Sequence, residues 1–268
     1  MLVNRKVAVA VLAACGAVVA SGVVQANSIG LNFTGGNGGP YPLSSGTTAG
    51  VVAQNNWNNL AGSSTTSPSS NFADSTGATV SGTSATWSGA DVWGTFGSSQ
   101  SNADLQLLNG YLDTNHNTGS NHTVTPATVT VSGIGYSSYE VIAYFNSDHA
   151  YNGSAPAIGD VNIGSTTYYY TAIGPVTSSD SHYPFTETTS TSSSVMTVAD
   201  YAVFSGLTGS SFTLTLNPLG ATGTGNNSGI AGLQIVDTTQ VPEPASLGLF
   251  AAGALGLTLA TRRKPSVA

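Results

Sequence analysis

The sequence predicts an all-β fold, a single two-sheet β-sandwich, and three observations lead there. Short runs rich in β-branched and aromatic residues recur along the chain, separated by clusters of Gly, Ser, Thr and Asn. Several runs alternate apolar and polar residues with the period of two of a half-buried strand, as in Phe212-Thr213-Leu214-Thr215-Leu216. Charged residues make up only 6% of the 268, yet 40% are hydrophobic, so the chain has the apolar content for a core. About eight strands with irregular connections fit a sandwich, and jelly-roll is the topology expected among sandwiches.

The expected strands fall at residues 29–34, 78–87, 127–132, 139–146, 166–173, 195–204, 212–217 and 230–236. Residues 139–145 are apolar nearly throughout, which suits a central strand covered on both faces. Residues 102–112 form the one helical stretch, through Leu105, Leu108 and Leu112. No internal repeat stands out.

The two ends read as address labels. Asn4, Arg5 and Lys6 precede an apolar run from Val7 to about Val24, closed by Val24-Gln25-Ala26, the form of a secretory signal peptide over residues 1–26. Leu12-Ala13-Ala14-Cys15 also has the residues of a lipid-attachment site, but the sequence stays apolar beyond Cys15, which favours discarding it with the signal. At the other end Pro242, Glu243 and Pro244 form a rigid element that no helix runs through. The charge-free apolar run 245–261 follows; as a helix it measures about 25 Å, slightly short of a bilayer core. Arg262, Arg263 and Lys264 close it with a basic cluster that stays on the cytoplasmic side and leaves the rest of the chain outside.

Between the labels the charge is one-sided. All five basic residues lie in the terminal segments, so residues 27–240 contain no lysine or arginine, while eleven of the twelve acids remain, the twelfth being Glu243. Binding nucleic acid by neutralising phosphates is thereby excluded, and binding an anionic membrane surface is disfavoured; neutral glycans and divalent cations stay open as partners. With Cys15 gone the body has neither a disulfide nor a cysteine nucleophile, and its stability rests on burial.

The order Pro-Glu-Pro, apolar span, Arg-Arg-Lys over residues 241–264 closely resembles the PEP-CTERM sorting signal of Gram-negative bacteria. That resemblance implies a substrate of an exosortase, a membrane cysteine protease-transpeptidase, with the tail removed after recognition. It also implies membrane residence only through the C-terminal transmembrane sorting helix, followed by delivery to the cell surface or extracellular matrix. The stretches Ile29-Gly30-Leu31-Asn32-Phe33, YEVIAYFNSD and Gly229-Ile230-Ala231-Gly232-Leu233-Gln234-Ile235 look like the first, middle and last strands of galactose-binding-like carbohydrate modules.

Three features of the body could carry chemistry. Trp57 and Trp93 are candidates for stacking on sugar C–H faces, with Asn55 and Asn58 placed to hydrogen-bond hydroxyls; Trp57 lies in a polar stretch, whereas Trp87 ends an alternating strand and is expected in the core. Asp113, Asn115 and Asn117 set oxygen ligands at every second position, as in the first half of a calcium loop, but the glycine comes one place late and Val124 stands where a bidentate glutamate belongs. A solvated turn needs no metal and is the preferred reading. The acids Asp74, Asp91, Asp104, Asp113, Asp148, Asp160, Asp180, Glu187 and Asp200 could include a glycosidase pair, and His116, His122, His149 and His182 could serve as a base or a metal ligand, with Asp148-His149 beside the central strand the best-placed. No nucleophile elbow, zinc-protease motif or phosphate loop is present.

The expectation is therefore an exported, non-enzymatic surface or matrix protein, sorted by an exosortase and associating with extracellular polysaccharide. It needs no cofactor, calcium being the single candidate. Two rivals are a glycoside hydrolase acting on that polysaccharide and a purely adhesive protein without a glycan site.

Overall fold

The computed structural model describes residues 26–35, 40–65, 67–118, 121–149, 156–174, 185–220 and 228–239. Apart from Ala26, the signal-peptide reading lies outside them, and so does the whole of the sorting tail. Residues Ala26–Val241 cluster as one compact unit. In chain order its elements are β1 (Ser28–Phe33), β2 (Asn58–Leu60), β3 (Ser69–Ser70), β4 (Ser84–Ser88), β5 (Asp91–Gly94), α1 (Ala103–Asn109), β6 (Gly110–Asp113), β7 (Asn115–Thr118) and β8 (Asn121–Val124). There follow β9 (Ala127–Ser132), β10 (Tyr139–Ser147), β11 (Ala157–Ile163), β12 (Thr166–Ala172), β13 (Thr197–Val198), β14 (Tyr201–Leu207), β15 (Ser211–Pro218) and β16 (Ser228–Asp237).

Two open sheets make the sandwich. One runs β14-β10-β16-β1-β2, with β6 continuing the pairing along β16 and β5 along β6; the other runs β13-β12-β11-β15-β9-β4-β3. Alternation does the work in the second sheet. On β9 and β15 the inward residues Val129, Val131, Leu214 and Leu216 are buried while the threonines between them face out. The first sheet is different, since β16 is buried along its full length and β10 at all but one position. Its inner face carries Leu31, Val141, Phe145, Leu233 and Ile235 into the main core, where Phe145 stacks on Tyr170 with ring centroids 4.0 Å apart. Its outer face carries Ile142, Tyr144 and Ala231 into a second apolar cluster roofed by Leu107 and Leu108 of α1 and by Leu43, Ala49 and Trp57. The nearly unbroken apolar run of β10 is thus the signature of a strand covered on both sides.

The sequence and the structure part company where local chemistry cuts a pattern short. The helix begins at Ala103, because the side chain of Asn102 caps it by accepting from the backbone N–H groups of Asp104 and Leu105. It ends at Asn109, and Leu112 belongs to β6. Gly110 makes the change of direction at a spot where a Cβ would come within 2.3 Å of the Phe33 carbonyl oxygen. The expected strand 78–87 is ordered as β4 only from Ser84. The expected strand 195–204 breaks into β13 and β14, which sit in different sheets. At the break, Asp200 accepts from the Thr186 N–H through Oδ2, and from the Phe145 N–H through its carbonyl.

Gly133, just after β9, holds φ at +72° with its Cβ position 2.0 Å from the Gly82 carbonyl oxygen. Gly133→Ala is therefore expected to cost about 2 kcal/mol or more, read as a fall in the midpoint of urea unfolding.

Candidate functional site

One end of the first sheet gathers the chemistry. There β5 and β6 pair so that Asp91 stands opposite Asp113 and Trp93 opposite Tyr111. On its other side Asp113 meets Gly229 of β16, and Gly229 meets Asn146 of β10. Residues two apart on a strand share a face, so Asp91, Trp93, Tyr111, Asp113 and Asn146 all belong to the outer face, the one that α1 partly covers. Gly229 keeps the row tight, since a Cβ there would lie 2.7 Å from the Tyr111 ring.

The polar contacts tie this face together. The Trp93 indole N–H donates to Oδ2 of Asp148 at 3.1 Å, fixing a partly exposed ring. Nδ1 of His116 lies 2.8 Å from Oδ2 of Asp91, and both side chains remain open to solvent, at 44% and 35% exposure. Asp113 is 3% exposed and accepts the Asn115 N–H at 3.0 Å. Burial pushes its carboxyl well above the usual range; the Asn115 N–H opposes the shift, and the charges of Asp148 and Asp91 add to it. Burial also raises the Tyr111 hydroxyl, with Asp113 and Asp148 adding. It lowers His149, against the pull of Asp148.

Like charges directly opposite on paired strands repel. The site is short of positive charge, since residues 27–240 hold no lysine or arginine and the basic side chain that meets Asp91 at its rim is His116. What it offers a ligand is a fixed aromatic ring beside carboxylate acceptors.

The residues expected from sequence fare unequally. Trp57 is corrected: it is 4% exposed, donates its indole N–H to the Gln54 carbonyl at 3.1 Å and meets Tyr144 edge-on at 6.2 Å. The polar residues around it mislead, because Gln54 turns inward to receive the Gln234 amide at 3.0 Å. Asn58 is likewise a cross-link between chain segments, donating to the Gly30 and Ala73 carbonyls and accepting from the Ala73 N–H. Asn55 is exposed, its side chain accepting from the Thr48 hydroxyl. Trp87 packs edge-on against Phe33 in the core. Trp93 alone of the expected stacking residues reaches the acidic end.

The expected turn after Asp113 is present, since its Oδ1 accepts the N–H of Asn115 two residues on, but Asp113 and Asn115 are buried where solvent exposure was expected. Asp113 closes β6 and Asn115 opens β7, which pairs with β8 as a hairpin. Asn115 and Asn117 have the two-residue spacing of β7, and Asp113 lies on the strand before it. Among the described residues no group of three or more His, Cys, Asp or Glu side chains could hold a metal ion. The side chain of Asn117 lies outside them.

Sequence reading missed the pairing of Asp91 with His116, which stand 25 residues apart and meet only through the β5–β6 register and the hairpin. It also missed Tyr111, hidden in an apparent helix.

Comparison with known proteins touches the other end of the chain. Residues 240–264 match the PEP-CTERM protein-sorting motif. The match covers the Pro-Glu-Pro element, the apolar span and the basic cluster, and it makes the chain an exported, membrane-transiting substrate of an exosortase that ends at the cell surface. No curated protein and no solved structure matches the chain.

Proposed function

We propose that the body between the targeting segments is a non-enzymatic polysaccharide-associating domain of the cell surface or matrix, binding through the Trp93 end of the first sheet. The observation that carries this reading is the Trp93 ring, held by Asp148 and partly exposed beside Asp91 and His116. An immobilised aromatic face receives the C–H side of a pyranose while nearby carboxylates accept from its hydroxyls. The strand order also supports a carbohydrate-module architecture. Of the eight long strands, β1, β16, β10 and β14 lie side by side in one sheet and β9, β15, β11 and β12 in the other, all antiparallel neighbours, which is the jelly-roll order.

One observation favours the hydrolase alternative: burial raises the Asp113 carboxyl above the ordinary carboxylate range, and the charges of Asp148 and Asp91 add to the shift. A general acid must reach the glycosidic oxygen, however, and Asp113 is sealed from solvent. Binding is the better reading.

Trp93→Ala is expected to weaken retention on extracellular polysaccharide about three- to tenfold, with Trp93→Phe in between. The check is affinity electrophoresis through gels cast with matrix polysaccharide, with far-ultraviolet circular dichroism to confirm folding. Retention unaltered in both variants would favour the adhesive alternative.

A further inference from the structure

The site's charge specifies its ligand more narrowly than "polysaccharide", and this step rests on the glycan reading just given. Asp91, Asp113 and Asp148 act on one another within a body that has no lysine or arginine. A second observation points the same way. The Tyr111 hydroxyl is fully buried and lies within the influence of Asp113 and Asp148, yet among the described residues its proton has no acceptor; the Asp148 backbone N–H that reaches it is itself a donor. A buried hydroxyl in that state brings no positive charge to the inner carboxylates, so a counter-charge has to come from the rim. A neutral sugar would supply hydroxyls but leave the carboxylates in repulsion. A protonated amine satisfies both demands, since it donates three hydrogen bonds, carries the missing charge and is attracted to the face of an indole.

We infer that this end of the sheet selects ammonium-bearing sugars, as in a partly de-N-acetylated amino-sugar polymer, over neutral ones. Asp91 takes the ammonium group at the exposed rim, Trp93 stacks on the ring that carries it, and Asp148 holds Trp93 in place. His116 occupies Asp91 in the absence of ligand and is displaced on binding. The inner carboxylates act through the field they add at the rim.

The test is isothermal titration of the chain lacking only its two targeting segments, which form no part of the compact unit. The probes are β-linked tetramers of glucosamine, N-acetylglucosamine and glucose at mildly acidic pH. The glucosamine tetramer is expected to bind about tenfold more tightly than the other two, and to weaken as NaCl is raised from about 0.05 to about 0.5 M.

Two exposed substitutions should act in opposite directions. Asp91→Asn should weaken the glucosamine tetramer about fivefold and leave N-acetylglucosamine unchanged, while His116→Gln should tighten the glucosamine tetramer about twofold by freeing Asp91. A neutral tetramer bound as well as glucosamine, or indifference to both substitutions, overturns amine selection and leaves glycan binding standing. No binding of any tetramer overturns both.

Discussion

Replacing Trp57 by alanine is expected to destabilise the body by about 3–5 kcal/mol, a large share of the 5–15 kcal/mol available to an ordinary domain. The indole lies in a bed of glycines. A Cβ on Gly30 would come within 2.7 Å of it, and one on Gly50 within 3.0 Å. Tyr144 meets its edge and the Gln54 carbonyl takes its N–H. Removing the ring therefore opens a void under the loop that also anchors Gln234, whose amide donates to the Val52 carbonyl at 2.7 Å. Urea unfolding followed by circular dichroism would register the loss as a lower midpoint, with Asn55→Ala nearby staying within about 0.5 kcal/mol of the parent. A Trp57→Ala protein of undiminished stability but impaired glycan retention would restore the surface role that the flanking asparagines suggest.

Mild acid is expected to stabilise this protein. Asp113 binds its proton more tightly in the folded state than in the unfolded one, because burial disfavours its charge. The folded state therefore holds more protons between the two values, and stability falls as pH rises. The contribution is fully present below the ordinary carboxylate value, about pH 4, and is lost as pH climbs through the raised value. Asp104 acts with the same sign, raised by burial against the Gly50 N–H. Acid usually unfolds proteins by breaking carboxylate pairs with lysine and arginine, and residues 27–240 contain neither.

The melting temperature is expected to be higher at pH 5 than at pH 8. Asp113→Asn keeps an oxygen to accept the Asn115 N–H and has no charge to bury. It should raise stability at pH 8 and flatten the slope. A melting temperature that drops steadily from pH 8 to pH 5 in the parent would contradict the assignment.

Much of the architecture was legible because period-two alternation survives wherever a strand has one wet face. β9 and β15 fall within a residue of expectation at each end, and β10 was readable as central from its apolar run. β11 escaped, since Gly159, Asp160 and Asn162 are poor strand formers and only the register with β12 and β15 keeps them extended. The site was legible in parts. Asp148 and Trp93 stood out as types, but their contact crosses 55 residues and depends on which edge of β16 receives β6. Trp57 was misjudged for a related reason. Polar neighbours signal a surface only when their side chains reach water, and Gln54 and Asn58 spend theirs inside.

β1 and β16, the first and last strands, lie side by side, with Ser28 opposite Val236 and the Asp237 N–H closing on the Asn27 carbonyl at 2.8 Å. The strand made last is thus the one around which the sheet closes, and it ends only a few residues before the sorting motif. A polypeptide threaded outward from its beginning has no finished core until nearly all of it has crossed. A copy cut short before residue 228 would lack the strand that joins β1, β10 and β6, and is expected to be more readily proteolysed than the full chain.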